Sequence, residues 1–110
     1  MDSILTSVKK MLGIAEEYTH FDEDLIMHIN SVFSVLTQIG VGPSEGFSIS
    51  DSYATWNDFM EDNPKLASVK TYVYMKVRLI FDPPISSSVM EAMKNSISEF
   101  EWRLNVESEV

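Results

Sequence analysis

The chain has 110 residues, an apolar fraction of 45% and a formal net charge of −9. This length fits one domain with a core of its own, and the lack of cysteine excludes disulfides, thiolate catalysis and Cys-based metal sites. The acidic balance argues against a protein that grips nucleic acid, because affinity for DNA depends on Lys and Arg at the phosphates. No apolar run approaches the ~18 residues of a membrane span, and no signal peptide is evident, which predicts a protein made and used in the cytoplasm.

Hydrophobic periodicity predicts two helices in the first third of the chain. The first runs from about Ser3 to Leu12, on apolar residues that share one helical face. The second begins at Asp22, the first of three consecutive acids that suit the positive end of a helix dipole. It ends before Gly40, where a left-handed cap is expected.

Two further helices are predicted in the second half. Asn63 caps the third, Pro64 takes its first position, and the run Asp82-Pro83-Pro84 ends it. This helix is apolar on two sides, which is typical of a helix that is central in its fold or shared with a neighbour. The fourth begins near Ser86, with a capping box formed by Ser88 and Glu91. Its inward-facing residues are predicted to be Val89, Met90, Met93, Ile97, Phe100 and Leu104.

The predicted fold is all-α: a small antiparallel bundle of four helices with one long loop between the second and third. It forms a single domain over residues 1–110, with residues 102–110 as a flexible C-terminal docking tail. The residues expected to be buried together are Ile29, Phe33, Leu36, Val69, Val73, Val77, Ile97 and Phe100.

The loop after the second helix is long for so small a domain, and such loops are either functional or loosely ordered. Phe47 to Ser50 alternates like a short strand, and Thr55 is placed to cap a short turn that carries Trp56 and Phe59. These two aromatic residues are interpreted as lids on the core, with a ligand site as the alternative. Residues 41–53 are expected to be mobile in the free subunit and to contact a partner, with Phe47 and Ile49 as candidate contacts.

No group of side chains predicts catalysis. His20 and His28 lack an aligned carboxylate, and the acidic clusters suit helix starts and polar faces. There is no calcium loop, glycine-rich phosphate loop or nucleophile elbow. The prediction is a protein that is not an enzyme, without catalytic residues, cofactor or metal.

Three segments resemble phage head–tail connector (adaptor) proteins: Val69 to Pro84, Ile97 to Asn105, and Thr55 to Phe59. The resemblance covers roughly residues 22–105. It implies a small helical subunit of a tailed bacteriophage or prophage, located in the virion neck and assembled in the host bacterial cytoplasm. Such subunits form a ring beneath the portal of the filled head, extend the DNA channel and dock the next component.

The partners implied by this resemblance are further copies of the chain, assembling in solution or only on the portal, together with the portal protein and the next neck or tail-completion protein. DNA would pass through without specific binding, and no membrane is involved. An acidic channel wall would repel the duplex over about a Debye length, ~10 Å at 0.1 M salt, whereas a basic wall would hold it.

The last predicted helix carries the candidate interaction residues. Glu99 and Arg103 are four positions apart in the favourable order for a helix pair, and an arginine at a subunit boundary can bind a carboxylate with two parallel bonds. Trp102 points away from the face of Phe100, and an exposed Trp beside an Arg is typical of a binding hot spot. The alternative is that Trp102 folds back onto the first helix. The full set is Glu99, Glu101, Trp102, Arg103 and Leu104, with Phe47 and Ile49 from the loop.

Two other classes of protein fit the same composition. A small acidic helical regulator or antitoxin-like binding module would share the acidity and the lack of catalysis, and its assembly state would differ, a small dimer rather than a large ring. An enzyme using the acidic clusters with a metal would be detected by metal analysis of the purified protein.

Overall fold

Helices, and no strand, make up the regular structure of the described residues, 3–61 and 64–108 of a computed structural model. The all-α prediction is confirmed. The elements in chain order are α1 (Ile4–Met11), α2 (Asp22–Gln38), α3 (Trp56–Phe59), α4 (Leu66–Phe81) and α5 (Ser87–Ser108). The four predicted helices are α1, α2, α4 and α5, and the predicted turn after Thr55 is the short helix α3.

The ends of the helices differ from the sequence prediction in detail. α4 begins at Leu66 with Lys65 at its cap, so Pro64 precedes the helix and does not take its first position; Asn63 lies outside the described residues. At α5, the Oγ of Ser86 accepts from the N–H of Val89 at 3.4 Å. The predicted capping box of Ser88 is therefore wrong, because α5 begins one residue before Ser88 and that serine lies inside its first turn.

α4 is the central helix, as its two apolar sides predict. It packs against α1, α2 and α5, and it is buried on both sides. Its buried residues are Val69, Tyr72, Val73, Met75 and Val77. Of the eight residues predicted to form the core, seven are buried, whereas Phe100 is only partly buried against it.

Val89, which is predicted to face inward, and Ile80, which continues the apolar stripe of Val73 and Val77, are both exposed. Ile80 in the last turn of α4 is 52% exposed, and Val89 in the first turn of α5 is 50% exposed. Both continue an apolar stripe past the point where other helices cover it. Periodicity predicts on which face of a helix a residue lies, but it does not predict how far the neighbouring helices extend to cover that face.

The loop between α2 and α3 is held to α2 by one side chain. Asn30 Nδ2 donates to the carbonyl oxygen of Ile49 at 2.9 Å, and Asn30 Oδ1 accepts from the N–H of Ile49 at 2.7 Å. Phe47 packs against Phe33, with ring centroids 5.2 Å apart. This attachment holds one point of the segment to α2, and the mobility of residues 41–53 remains a prediction. It also explains why no strand forms there, since the amide occupies both backbone groups of Ile49.

The short helix α3 ties the end of the loop to α1. Thr55 caps this helix as predicted, and the cap is a full capping box in which Thr55 and Asp58 bond in both directions. Trp56 Nε1 donates to Ser7 Oγ at 2.7 Å, and Ile4 N–H donates to the carbonyl of Ala54 at 2.9 Å. Trp56 and Phe59 are buried, as expected of lids on the core.

Candidate protein-interaction site

The outer face of α5 carries the exposed members of the predicted interaction set. Glu99, Trp102, Arg103 and Val106 are spaced so that they share one side of the helix. Trp102 is 67% exposed and Val106 is 40% exposed. Arg103 Nη2 lies 2.6 Å from Glu99 Oε1, with both side chains 59% exposed. We call these four residues the outer α5 face. Trp102 is therefore open to a partner and is not packed away against α1.

Two other members of the set face into the subunit. Leu104 is 2% exposed and belongs to the core. Glu101 accepts from the Tyr72 hydroxyl at 2.6 Å and lies 3.6 Å from Lys76 Nζ. Burial raises the pKa of Tyr72, and the hydrogen bond to Glu101 raises it further, so the hydroxyl remains a proton donor. Glu101 thus fastens α5 to α4.

Phe47 and Ile49 do not join the outer α5 face. Ile49 is 5% exposed and bonded to Asn30, and Phe47 is partly buried between Phe33 and Phe59. Both loop residues, together with Leu104, serve the core in this structure and offer little surface to a partner. The alternation of apolar and polar residues at positions 47–50 marks which side chains turn inward, and it carries no signal for an interface.

The basic residues of the central helix are largely used within the subunit. Lys70 Nζ lies 5.8 Å above the ring of Trp56, which is cation–π distance. Lys76 is near Glu101, and Arg78 Nη1 donates to the Tyr74 hydroxyl at 2.9 Å. Most of the exposed charged side chains among the described residues are therefore carboxylates. The exposed acids among the described residues are Glu16, Glu17, Glu23, Asp24, Glu45, Asp51, Asp58, Glu61, Asp82, Glu91 and Glu99.

A buried cation lies between α1 and α2, and no pattern in the sequence predicts it. Lys9 is 2% exposed, and its Nζ donates to the carbonyl oxygen of Glu16 at 2.9 Å. The same Nζ lies 2.9 Å from Asp22 Oδ1 and forms an ion pair with it. The ammonium therefore joins α1, the following linker and the start of α2.

The described residues bring no three His, Asp or Glu side chains together in a way that would hold a metal ion. An open groove of about 510 Å³ runs between α2 and the loop, lined mainly by amide and hydroxyl side chains such as Asn30, Thr37 and Gln38. Within residues 3–61 and 64–108, no helix is both long and apolar enough to cross a membrane.

Comparison with known protein families decides the class of protein. The family model described as phage connector protein matches residues 4–110, nearly the whole chain. The chain belongs to this family. No curated protein and no solved structure matches it. A connector protein is a structural component of the virion that interacts with other phage head or tail proteins. The predicted resemblance is confirmed, and a non-enzymatic role is consistent with it.

Proposed function

We propose that this connector protein is the head–tail connector subunit of a tailed bacteriophage or prophage. Its copies form a ring beneath the portal, extend the DNA channel and dock the next neck or tail-completion protein. The observation that carries the proposal is the family match over residues 4–110. The all-α fold and the exposed outer α5 face are compatible with it.

The distribution of charge supports a channel that DNA traverses without binding. The chain carries a net charge of −9, and the contacts of Lys9, Lys70 and Lys76 direct positive charge into the subunit. A ring of such subunits repeats the exposed carboxylates around its axis. Phosphates passing within about 10 Å of this wall at 0.1 M salt meet repulsion, with few cations available to replace their counterions.

We further propose that the outer α5 face meets the portal. Trp102 offers a large apolar surface and Arg103 a bidentate donor, which is the composition of an interface hot spot. The pair of Arg103 with Glu99 is exposed, so within the subunit it contributes only about 0.3–0.5 kcal/mol. We therefore expect the pair to contribute more to the binding of a partner than to the stability of the subunit. The flexibility of residues 102–110 remains a prediction, and residues 102–108 continue α5.

The test is binding of the purified subunit to purified portal rings, with assembly mass measured by native mass spectrometry. We expect the wild type to add a ring of copies to the portal, and Trp102→Ser to weaken this binding by at least about tenfold. The melting temperature should be unchanged, because the Trp102 side chain is exposed. A point variant is preferable to deleting residues 102–110, because the deletion removes the buried Leu104.

Tyr53→Ser is the matched control, because Tyr53 is a comparably exposed aromatic residue on the loop, 84% exposed. Its portal binding should equal that of the wild type. A Trp102→Ser protein that joins portal rings with native affinity would show that the outer α5 face is not the docking element. A protein that forms a small dimer and does not bind the portal would instead favour the class of small helical regulators.

A further inference from the structure

One end of the fold gathers apolar side chains that no described element covers. The rings of Phe21 and Phe81 are in edge contact at 5.1 Å, which brings the start of α2 to the end of α4. The short link 82–86 keeps the start of α5 at this same end. We define the aromatic end by six residues from these segments and the linker before α2: Tyr18, Phe21, Ile80, Phe81, Ile85 and Val89.

Four of these six side chains are at least half exposed. Ile85 is fully open at 103%, and Ile80, Tyr18 and Val89 lie between 50% and 52%. A single exposed apolar residue needs no explanation, but several at one end of a small fold are typical of an interaction surface. The aromatic rings are also held in place, since Tyr18 and Phe21 stand edge to face at 5.8 Å. These ring contacts restrain the aromatic part of the surface.

Carboxylates surround the aromatic end, and they specify the partner's charge. Glu17 is exposed in the linker before α2, and Glu23 and Asp24 are exposed in the first turn of that helix. Asp82 follows α4, and Glu91 lies in the first turns of α5. An apolar centre with an acidic rim is complementary to an apolar surface with a basic rim. A second copy of this chain would have to supply the basic rim from Lys10, Lys94 and Arg103, which are exposed on two separate helices, α1 and α5. The basic residues of its central helix, Lys70, Lys76 and Arg78, are engaged within the subunit.

The aromatic end and the outer α5 face lie at opposite ends of α2. Asn105 Nδ2 donates to the carbonyl oxygen of Ile39 at 3.4 Å, so the last turns of α5 are beside the end of α2. The 17 residues of α2 span roughly 25 Å at ~1.5 Å per residue. The centres of the two sites are therefore far enough apart for a connector to use them for different neighbours.

We infer that the aromatic end docks the next neck or tail-completion protein through an apolar surface with a basic rim on that protein. This assignment rests on the proposed function, in which the outer α5 face meets the portal. Contact with Ile85 and Val89 would bury aliphatic groups, and the rim acids would pair with Lys or Arg of the partner. The portal and the next component would then be bound from opposite ends of one subunit.

The experiment uses the connector assembled on its portal, titrated with the purified next neck component of the same phage. Ile85→Ser combined with Val89→Ser should weaken this binding about a hundredfold, because two aliphatic side chains lose their burial. Portal affinity and melting temperature should stay at wild-type values, since both side chains are exposed in the subunit. Tyr53→Ser is the control and should bind the neck component normally.

The rim is tested by Glu23→Lys combined with Asp24→Lys. This variant should bind the neck component more slowly than the wild type at low salt, with the difference shrinking at high salt. Native affinity of the Ile85 and Val89 double variant for the neck component would overturn the inference. The inference would also be overturned if the double variant lost portal binding, or assembly between copies of the chain, while its binding to the neck component stayed normal. A wild-type protein that binds neither portal nor neck component would instead overturn the proposed function, and the inference with it.

Discussion

Replacing Phe33 with alanine should lower the free energy of unfolding by about 3–5 kcal/mol. The Phe33 side chain is fully buried, and its ring centroid lies 4.6 Å from that of Phe59 and 5.2 Å from that of Phe47. Both neighbours are restrained, because Phe47 lies in the loop segment that Asn30 bonds to α2 and Phe59 is a buried residue of α3. The cavity left by the truncation therefore cannot collapse easily, which places the loss at the upper end for core substitutions.

Urea denaturation of the purified subunit measures this loss. Phe100→Ala is the matched control, because Phe100 is only partly buried and should lose no more than about 2 kcal/mol. Full burial of Phe33, and not the removal of an aromatic ring as such, would then account for the difference. A loss below about 1 kcal/mol in Phe33→Ala would contradict its place at the centre of the core.

Lys9→Met should have the second large effect, a loss of about 3 kcal/mol in the free energy of unfolding. Methionine fills the space of the lysine stem but removes the ammonium, leaving the Asp22 carboxylate and the carbonyl of Glu16 without their partner. The Asp22 side chain is 24% exposed, so water relieves part of the penalty. The loss should therefore lie near the lower end of the range for a broken buried pair.

The adjacent residue provides the control for this prediction. Lys10 is exposed, and Lys10→Met should change stability by less than about 0.5 kcal/mol. The double variant Lys9→Met with Asp22→Asn should recover part of the loss, because the unpaired charge is gone. Equal stability of Lys9→Met and Lys10→Met would show that the buried ion pair contributes nothing to the fold.

Local patterns were sufficient for much of the fold. The apolar stripe of α2, the two-sided burial of α4 and the cap at Thr55 follow from residues within a few positions of one another. The burial of Lys9 does not, because its partner Asp22 lies beyond a non-helical linker. The attachment of the loop likewise depends on Asn30 and Ile49, which are 19 residues apart. Such pairings are set by tertiary packing, and periodicity carries no signal for them.

The candidate site was predictable to the same extent. Helical spacing places Glu99, Trp102 and Arg103 on one face, and the structure exposes all three. Glu101 was assigned to the same surface, but it bonds Tyr72 on a different helix, 29 residues away. Ile80 and Val89 show the reverse error, because residues with the spacing of a core stripe are exposed. Their spacing matches a core stripe, and only the path of the other helices shows that this stripe continues beyond the subunit's own core.

Electron microscopy of phage particles assembled without this protein tests the connector role most directly. A subunit that joins the portal to the tail is needed after the head is filled. We expect DNA-filled heads and separate tails, with attachment restored by the wild-type protein supplied in trans. Complete tailed particles formed in the absence of the protein would contradict it.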